Sequence, residues 1–194
     1  MPASYLHSLH IDFAPSLWLG RVGMSACPGA VSVGAMAGPQ SSGQLAKDVA
    51  HMAQQGIKTV VSLLDSTELQ RLGALEISLL LVQYDIAWHQ LPVVDYGVPS
   101  SAVTLQWRRL LPQLTQVLHT SNILIHCAHG KGRTGTMAAT LFKSWGWSSG
   151  AAMAYVRQYR PGTIETHKQE AYVEAFTRGM GTSIPATSRP ATPL

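Results

Sequence analysis

Two kinds of apolar pattern alternate along this chain of 194 residues. Short, mostly apolar runs are typical of strands in a sheet that is covered on both faces. Longer segments repeat apolar residues every three or four positions, which is the period of a helix with one buried face. The predicted strands are residues 17–23, 57–64, 86–92 and 123–126. The predicted helices are residues 41–55, 65–72, 75–83, 100–119, 134–145, 148–158 and 166–178.

The order of these elements predicts the fold class. Strands that alternate with helices are typical of an α/β protein, in which a central, mostly parallel twisted sheet has helices on both faces. Residues 1–15 are expected to be irregular, and residues 25–44, rich in Gly, Ser, Pro and Ala, to form a long loop. We expect one domain over residues 1–178 and a disordered tail over 179–194. The predicted core includes Leu45, Val49, Val60, Leu63, Leu110, Leu114, Val117, Ile123, Ile125, Leu141 and Val156.

Composition adds limits on location and partners. The net charge of +4 favours anionic partners, but no run of Lys or Arg supports nucleic-acid binding. Two cysteines, Cys27 and Cys127, make no disulfide framework and suit a reducing, cytoplasmic compartment. The first residues lack the pattern of a signal peptide, and no apolar run approaches the roughly 18 residues of a membrane span. We therefore expect a cytoplasmic monomer.

The chemistry is concentrated after the last predicted strand, where the chain reads His-Cys-Ala-His-Gly-Lys-Gly-Arg-Thr-Gly from His126 to Gly135. A strand, a glycine-rich loop and a helix N-terminus make an anion site, because backbone N–H groups and the helix dipole point at one spot. The same field stabilises a thiolate, so Cys127 is the candidate nucleophile rather than a buried core cysteine. Arg133 is suited to hold two oxygens of a phosphate in its planar fork.

The other loop residues receive supporting roles. Thr134 is expected to donate its hydroxyl to the Cys127 sulfur or to cap the helix, and His126 to order the loop by hydrogen bonding. Two glycines allow the backbone to curl around an anion. The predicted donors to phosphate are the backbone N–H groups of Ala128, His129, Gly130, Lys131, Gly132 and Arg133.

His126, Cys127, Arg133 and Thr134, at this spacing, resemble the signature of the cysteine-dependent protein phosphatases of the tyrosine and dual-specificity group. The similarity extends over residues 15–178, including Cys-Pro-Gly at 27–29, Leu-Pro-Val-Val-Asp-Tyr-Gly-Val-Pro at 91–99 and Gly-Thr-Ile-Glu-Thr at 162–166. These segments resemble the kinase-associated phosphatases within that group. The resemblance implies hydrolysis of phosphomonoesters through a phosphocysteine, with no metal or other cofactor.

Such a reaction needs an acid for the leaving oxygen. Asp95 follows a predicted strand and lies among Gly97 and Pro99, and the resemblance supports it as general acid; the alternative is a turn or cap aspartate. Asp85 and Asp65 are better explained as turn and cap residues. The resemblance also makes Gln169 a candidate for positioning the attacking water, although a helix-capping role is equally compatible with its place.

The basic side chains of the loop are compatible with more than one class of substrate. A phosphorylated protein, with phosphotyrosine first and phosphoserine or phosphothreonine second, is the expected substrate. Because His129 and Lys131 add positive charge, a phosphoinositide phosphatase and an RNA 5′-triphosphatase remain alternatives, as does a non-catalytic phosphate-binding module.

Three further readings of these residues carry less weight. Metal binding by His126, Cys127 and His129 lacks a second Cys/His cluster. A disulfide between Cys27 and Cys127 would depend on a geometry that sequence does not supply. Arg157 and Arg160 are also candidates to line the pocket, but solvated side chains are the favoured expectation.

Overall fold

The computed structural model of the protein describes residues 9–30 and 39–177, with side chains in the second range from residue 43 onward. The predicted tail, residues 179–194, lies outside the described residues, and so does much of the predicted loop. Five strands form one sheet: β1 Ile11–Pro15, β2 Arg21–Ser25, β3 Ile57–Ser62, β4 Ala87–Gln90 and β5 Asn122–His126. The helices are α1 Pro39–Gln54, α2 Ser66–Arg71, α3 Ile77–Val82, α4 Ser101–Leu118, α5 Gly132–Ser144, α6 Ser149–Tyr159 and α7 His167–Ala175.

The sheet has the strand order β1-β2-β5-β3-β4, and only the β1–β2 pair is antiparallel. Ile123, Leu124 and Ile125 of the central strand β5 are all fully buried. Successive side chains of a strand point to opposite faces, so both faces of the sheet are covered. The predicted α/β class with a mostly parallel sheet between helices is confirmed.

Two expectations at the start of the chain are wrong. Residues 11–15 form the edge strand β1, which the sequence hides because only Ala14 in it is buried. The expected strand 17–23 is displaced to β2, because Ser16 organises a turn by accepting from Trp18 N at 3.1 Å and donating to the Gly20 carbonyl. Leu19 in that turn is exposed. An apolar run therefore marks a turn here rather than the strand itself.

The predicted core is buried with one exception, since Val117 is only partly buried at the side of α4. Predicted caps are also present: Asp65 accepts from Glu68 N at 2.7 Å and Thr166 accepts from Gln169 N at 3.2 Å. The expected helix start at Ser41 falls two residues inside α1. Helix positions follow the sequence closely because each buried face and each cap is local information.

The strand ends explain where a site can form. Ser25 and Ser62, the last residues of β2 and β3, both pair with His126, the last residue of the central strand β5, at the same edge of the sheet. Gln90 at the end of β4 pairs with Ser62 at this edge too. Four chain segments therefore leave the sheet side by side, and ligands of such sheets bind beyond the carboxyl ends of strands.

Candidate active site

The loop between β5 and α5 begins with Cys127, which is buried against the sheet edge. Gly130 N donates to Cys127 Sγ at 3.2 Å, so the loop curls back over the sulfur. Gly130 has φ +71°, and a Cβ there would overlap the carbonyl group of Ser25. Only glycine fits this backbone position, because it tolerates the left-handed region and the close approach of β2.

Helix α5 begins at Gly132, directly after the loop. Its N-cap residue, Lys131, makes no side-chain capping hydrogen bond. The first N–H groups of a helix have no acceptor within the helix, and they favour an anion. One of them is engaged, because Gly132 N donates to Glu165 Oε2 at 2.8 Å. The helix end thus already accommodates a carboxylate from the chain itself.

Arg133 in the first turn of α5 is almost fully buried, with 1% of its side chain exposed. Its Nη1 donates to both carboxylate oxygens of Glu68 at 3.0 Å and to the Val93 carbonyl at 2.9 Å. Its Nε and Nη2 are buried and form no hydrogen bond with any described residue. These two groups lie on one edge of the guanidinium and are the pair that binds two oxygens of a phosphate side-on.

Asp95 lies on the loop between β4 and α4, with 50% of its side chain exposed. Its Oδ1 is 3.0 Å from Arg133 Nη2. The N–H bonds of Nη2 are not directed at this oxygen, so we treat the contact as an attraction between charges rather than a hydrogen bond. The structure therefore brings Asp95 to the same arginine that borders the Cys127 loop, as the proposed acid requires.

The other two aspartates that the sequence raised behave as expected. Asp65 is the N-cap of α2. Asp85 is a fully exposed turn residue with φ +54°, 3.6 Å from Lys58 Nζ. Neither side chain contacts the Cys127 loop.

Glu68 is a site residue that sequence reasoning missed. Its carboxylate accepts two hydrogen bonds from Arg133 Nη1. The signal that could have found it is topological. Glu68 follows β3, whose carboxyl end lies beside that of β5.

His126 fixes the base of the loop. It is fully buried, and its Nε2 lies 2.6 Å from Ser62 Oγ, which also accepts from Trp88 Nε1 at 2.8 Å. Burial is the main cause that lowers the pKa of His126 to about 4; a backbone hydrogen bond with Cys127 opposes the shift and the charge of Arg133 adds to it. A ring with so low a pKa is a weak proton acceptor, which fits the expected ordering role rather than that of a base.

Thr134 does not make its expected contact. Its hydroxyl is fully buried and has no hydrogen-bond partner among the described residues, so no bond to Cys127 Sγ is formed. Capping is also wrong for this residue, because Lys131 is the N-cap and Thr134 lies inside α5. A role of Thr134 in catalysis stays a prediction.

Gln169 makes the capping box that the sequence offered as the alternative role. Its Oε1 accepts from Glu165 N at 2.8 Å and from Thr166 N at 3.3 Å. Its Nε2 donates to the Gly97 carbonyl at 3.2 Å, which ties α7 to the Asp95 loop. Because both ends of the amide are engaged, positioning of water by Gln169 stays a prediction.

The remaining loop residues divide by exposure. Ala128 is buried, and its carbonyl accepts from Cys27 N at 3.1 Å. The side chains of His129 and Lys131 are exposed, while their backbone belongs to the loop. Arg160 was expected to be solvated and is not, because it donates to carbonyls of this loop.

Cys27 lies beside the site as a second buried thiol. Both cysteines are free. Burial raises the pKa of the Cys27 thiol, and the negative charge of Cys127 adds to this effect. Within the described ranges, no group of three His, Cys, Asp or Glu side chains is arranged to hold a metal ion. None of the described helices is long and apolar enough to cross a bilayer.

Comparisons with known proteins identify the family of this chain. Residues 30–173 match the family described as Swiss Army Knife protein, DSP-PTPase phosphatase domain. Cyclin-dependent kinase inhibitor 3 of Rattus norvegicus is 30% identical over 133 residues, which cover 67% of this chain and 62% of that protein. Protein tyrosine phosphatase domain-containing protein 1 of Mus musculus is 30% identical over 133 residues, covering 64% of this chain and 17% of that protein. The chain thus spans less than two thirds of either relative.

Solved structures agree with the sequence comparisons. A crystal structure of kinase-associated phosphatase, with its catalytic-site cysteine replaced by serine, is similar with a TM-score of 0.72 at 26% identity. The likeness covers 86% of this chain and 93% of that chain. The resemblance stated from the sequence is confirmed, and the chain belongs to the family of dual-specificity and protein tyrosine phosphatase domains.

Proposed function

We propose that this domain, taken as residues 1–178, hydrolyses phosphomonoesters through a phosphocysteine intermediate without a metal ion. One observation carries the proposal. Nε and Nη2 of Arg133 are buried, form no hydrogen bond with the described residues, and belong to the helix turn that follows the Cys127 loop. Buried donors without acceptors are unfavourable, and a bound phosphate would satisfy both at once.

The reaction divides into two displacements. In the first, the Cys127 thiolate attacks phosphorus, the bond to the leaving oxygen breaks, and Asp95 gives its proton to that oxygen. In the second, water attacks the phosphocysteine, Asp95 takes a proton from the water, and the thiolate leaves. Arg133 and the loop N–H groups, except that of Gly130, which donates to Cys127 Sγ, hold the equatorial oxygens throughout, where negative charge develops. The N–H of Gly132 joins them only after phosphate has displaced Glu165.

Asp95 must leave Arg133 for this chemistry. A phosphate on the Nε and Nη2 edge would displace the Asp95 carboxylate, which lies 3.0 Å from Nη2. Half of the Asp95 side chain is exposed, so this motion needs no rearrangement of the core. The displaced carboxyl group would then face the leaving oxygen.

The expected substrate is a phosphorylated protein, with phosphotyrosine first and phosphoserine or phosphothreonine second. Val94 and Tyr96, on either side of Asp95, are 79% and 60% exposed and offer apolar surface to an aromatic ring. The Glu165 carboxylate at the start of α5 disfavours polyanionic substrates such as phosphoinositides and triphosphorylated RNA. A reduced Cys127 suits a cytoplasmic location.

The test is phosphate release from four substrates: a phosphotyrosine peptide, a phosphoserine peptide, a phosphoinositide in vesicles and a triphosphorylated RNA. We expect the phosphotyrosine peptide to be hydrolysed fastest, with the rate unchanged by a metal chelator. Cys127→Ser should lower turnover by about 10⁴-fold or more. The matched control is Cys27→Ser, which changes the buried thiol that the mechanism does not use.

Two outcomes would contradict the proposal. Turnover that survives in Cys127→Ser excludes the covalent mechanism, and loss of turnover on chelation excludes a metal-independent one. A higher rate with the phosphoinositide or the RNA would leave the mechanism intact and replace the substrate.

A further inference from the structure

Arg160 is the C-cap residue of α6, and its side chain packs against the Cys127 loop with 12% of its surface exposed. Its Nε donates to the Gly130 carbonyl, and its Nη2 to the His129 carbonyl at 3.2 Å. Its Nη1 donates to the Met24 carbonyl at 3.3 Å and pairs with Asp12 Oδ2. The guanidinium therefore joins two successive loop carbonyls to β1 and β2.

These bonds fix the direction of the loop N–H groups. The peptide unit is planar, and in the trans form its C=O and N–H point in opposite directions. None of the described peptide bonds is cis. Because the His129 carbonyl faces Arg160, the N–H of Gly130 points the other way, where Cys127 Sγ accepts it at 3.2 Å. By the same geometry, the bond to the Gly130 carbonyl turns the Lys131 N–H away from Arg160.

We infer that Arg160 is a positioning residue that stabilises the Cys127 thiolate through the peptide unit between His129 and Gly130. It acts on the sulfur without touching it. A cation at the carbonyl oxygen polarises the peptide and strengthens the hydrogen bond that its N–H donates to a negative sulfur. The inference rests on the proposed function, in which the thiolate is the nucleophile.

Other charged groups surround the loop, and the test must separate them from Arg160. Arg133 of α5, Glu68 of α2, Asp95 and Glu165 keep their own contacts when Arg160 is changed. His126 of β5 is neutral, and Cys27 is a buried thiol. Asp12 is the exception, because it would lose its ion pair with Arg160. Among the described residues it would keep the contact with His10 Nε2 at 2.8 Å.

The experiment measures the rate at which iodoacetamide alkylates Cys127 as a function of pH, with the modified peptide identified by mass spectrometry. In Arg160→Met we expect the pH midpoint of alkylation to rise by about one unit, so that the rate below the midpoint falls about tenfold. Arg160→Lys keeps the charge but cannot serve both carbonyls and Asp12, and it should fall between wild type and Arg160→Met.

Two variants serve as controls. Arg157→Met removes a neighbouring arginine that donates to the Thr163 and Ile164 carbonyls and to Glu170, but to no carbonyl of the loop. We expect its midpoint to equal that of wild type. Asp12→Asn leaves the loop bonds of Arg160 in place and removes a negative charge, so its midpoint should stay or fall.

A folded Arg160→Met protein with the wild-type midpoint would overturn the inference, and so would an equal shift in Arg157→Met. If circular dichroism shows that Arg160→Met does not fold, Arg160→Lys decides, and a wild-type midpoint there overturns the inference as well. Alkylation needs no turnover, so the readout is separate from the proposed function. If Cys127 of the wild-type protein is alkylated with the pH midpoint of an ordinary cysteine, the proposed function and the role of Arg160 are both overturned. If the wild-type midpoint is low but the variants do not change it, only the role of Arg160 is overturned.

Discussion

The Cys127 loop and the Asp95 loop leave the same edge of the sheet, but they are held in different ways. Around the first, Cys127, Ala128 and Arg133 are buried, and the loop is attached to β2, α2 and α6. In the second, half of the Asp95 side chain is exposed. The second loop is attached through its backbone: the Val93 carbonyl accepts from Arg133, the Val93 N–H donates to the Leu63 carbonyl at 3.1 Å, and the Gly97 carbonyl accepts from Gln169.

This difference suggests that the two loops have different roles in the proposed reaction: the Cys127 loop binds the anion and the Asp95 loop transfers the proton. The anion-binding half is largely in place before substrate arrives, with Glu165 the carboxylate that phosphate would displace from the start of α5, so little reorganisation is needed when charge develops. The proton-transfer half can move away from Arg133 when phosphate takes its place. Variants of the first loop should therefore weaken anion binding, and variants of the second should slow turnover while anion binding is kept.

Arg133→Lys should have the largest effect. Lysine keeps the charge but loses the planar fork, so the bidentate contact with phosphate and the two bonds to Glu68 cannot both form. We expect kcat/KM to fall by about 10³-fold and the inhibition constant of phosphate to rise. Steady-state kinetics with phosphate as competitive inhibitor measure both.

The matched control is Arg109→Lys on the exposed side of α4, which should change neither constant. Unchanged phosphate inhibition in a folded Arg133→Lys protein would mean that the buried fork does not bind the anion. The Cys127 loop and Arg133 would then not form the anion-binding half of the site.

Asp95→Asn should reduce turnover by about 10²-fold, because the amide cannot donate a proton to the leaving oxygen. The loss should be greatest for aryl phosphates with poor leaving groups. Phosphate inhibition should stay the same or strengthen, since a carboxylate 3.0 Å from Arg133 Nη2 is removed. A series of substrates with different leaving groups measures this.

Asp85→Asn, the same change at an exposed turn, is the control and should leave the rates unaltered. If Asp95→Asn weakens phosphate inhibition as much as Arg133→Lys does, both loops contribute to anion binding and the proposed difference between them is wrong. A loss independent of the leaving group would point to another acid.

Local sequence information explains what could be predicted. Helices follow their apolar period and caps, and the Cys127 loop is continuous from nucleophile to arginine. The contact of Glu68 with Arg133 and the bonds of Arg160 to the loop were not predicted, because these partners are 65 and 30 positions apart in the sequence. Only the packing of α2 and α6 against the strand ends brings these groups together.

The same reason accounts for the errors. Strand β1 has a single buried residue and exists because it pairs with the edge of β2, which no local pattern reveals. The expected hydrogen bond from Thr134 to the sulfur depends on a rotamer within a helix, and the described geometry does not form it. Sequence identified the loop, a candidate acid in Asp95 and the ordering role of His126, but neither the contact of Glu68 with Arg133 nor the bonds of Arg160 to the loop carbonyls.

The buried base of the Cys127 loop should make the fold sensitive to acid. The pKa of His126 is about 4 in the folded protein, against an ordinary value of 6.5. Protons therefore bind the unfolded chain more tightly, so this contribution to stability is complete above pH 6.5 and is lost as pH falls towards 4. The free energy of unfolding should drop by about 3 kcal/mol over that interval from this group.

Urea unfolding at pH 7, 5.5 and 4.5 checks this, with His126→Gln compared with wild type. The variant should be less stable at pH 7 but should lose less stability on acidification. His167→Gln, at a fully exposed side chain, should keep the wild-type pH dependence. If His126→Gln loses as much stability as wild type, the buried imidazole is not the acid-sensitive group.

Glu165→Gln should have the smallest effect. It should strengthen phosphate inhibition, whereas Arg133→Lys should weaken it. The Glu165 carboxylate accepts from Gly132 N at 2.8 Å and so competes with phosphate for the start of α5. The neutral amide is a weaker acceptor and removes a repulsive charge, so the inhibition constants of phosphate and vanadate should fall by about threefold. Glu76→Gln, an exposed glutamate at the start of α3, is the control and should change neither constant. Weaker phosphate binding in Glu165→Gln would instead mean that Glu165 supports the anion-binding half, which would then include a carboxylate from the α6–α7 connection.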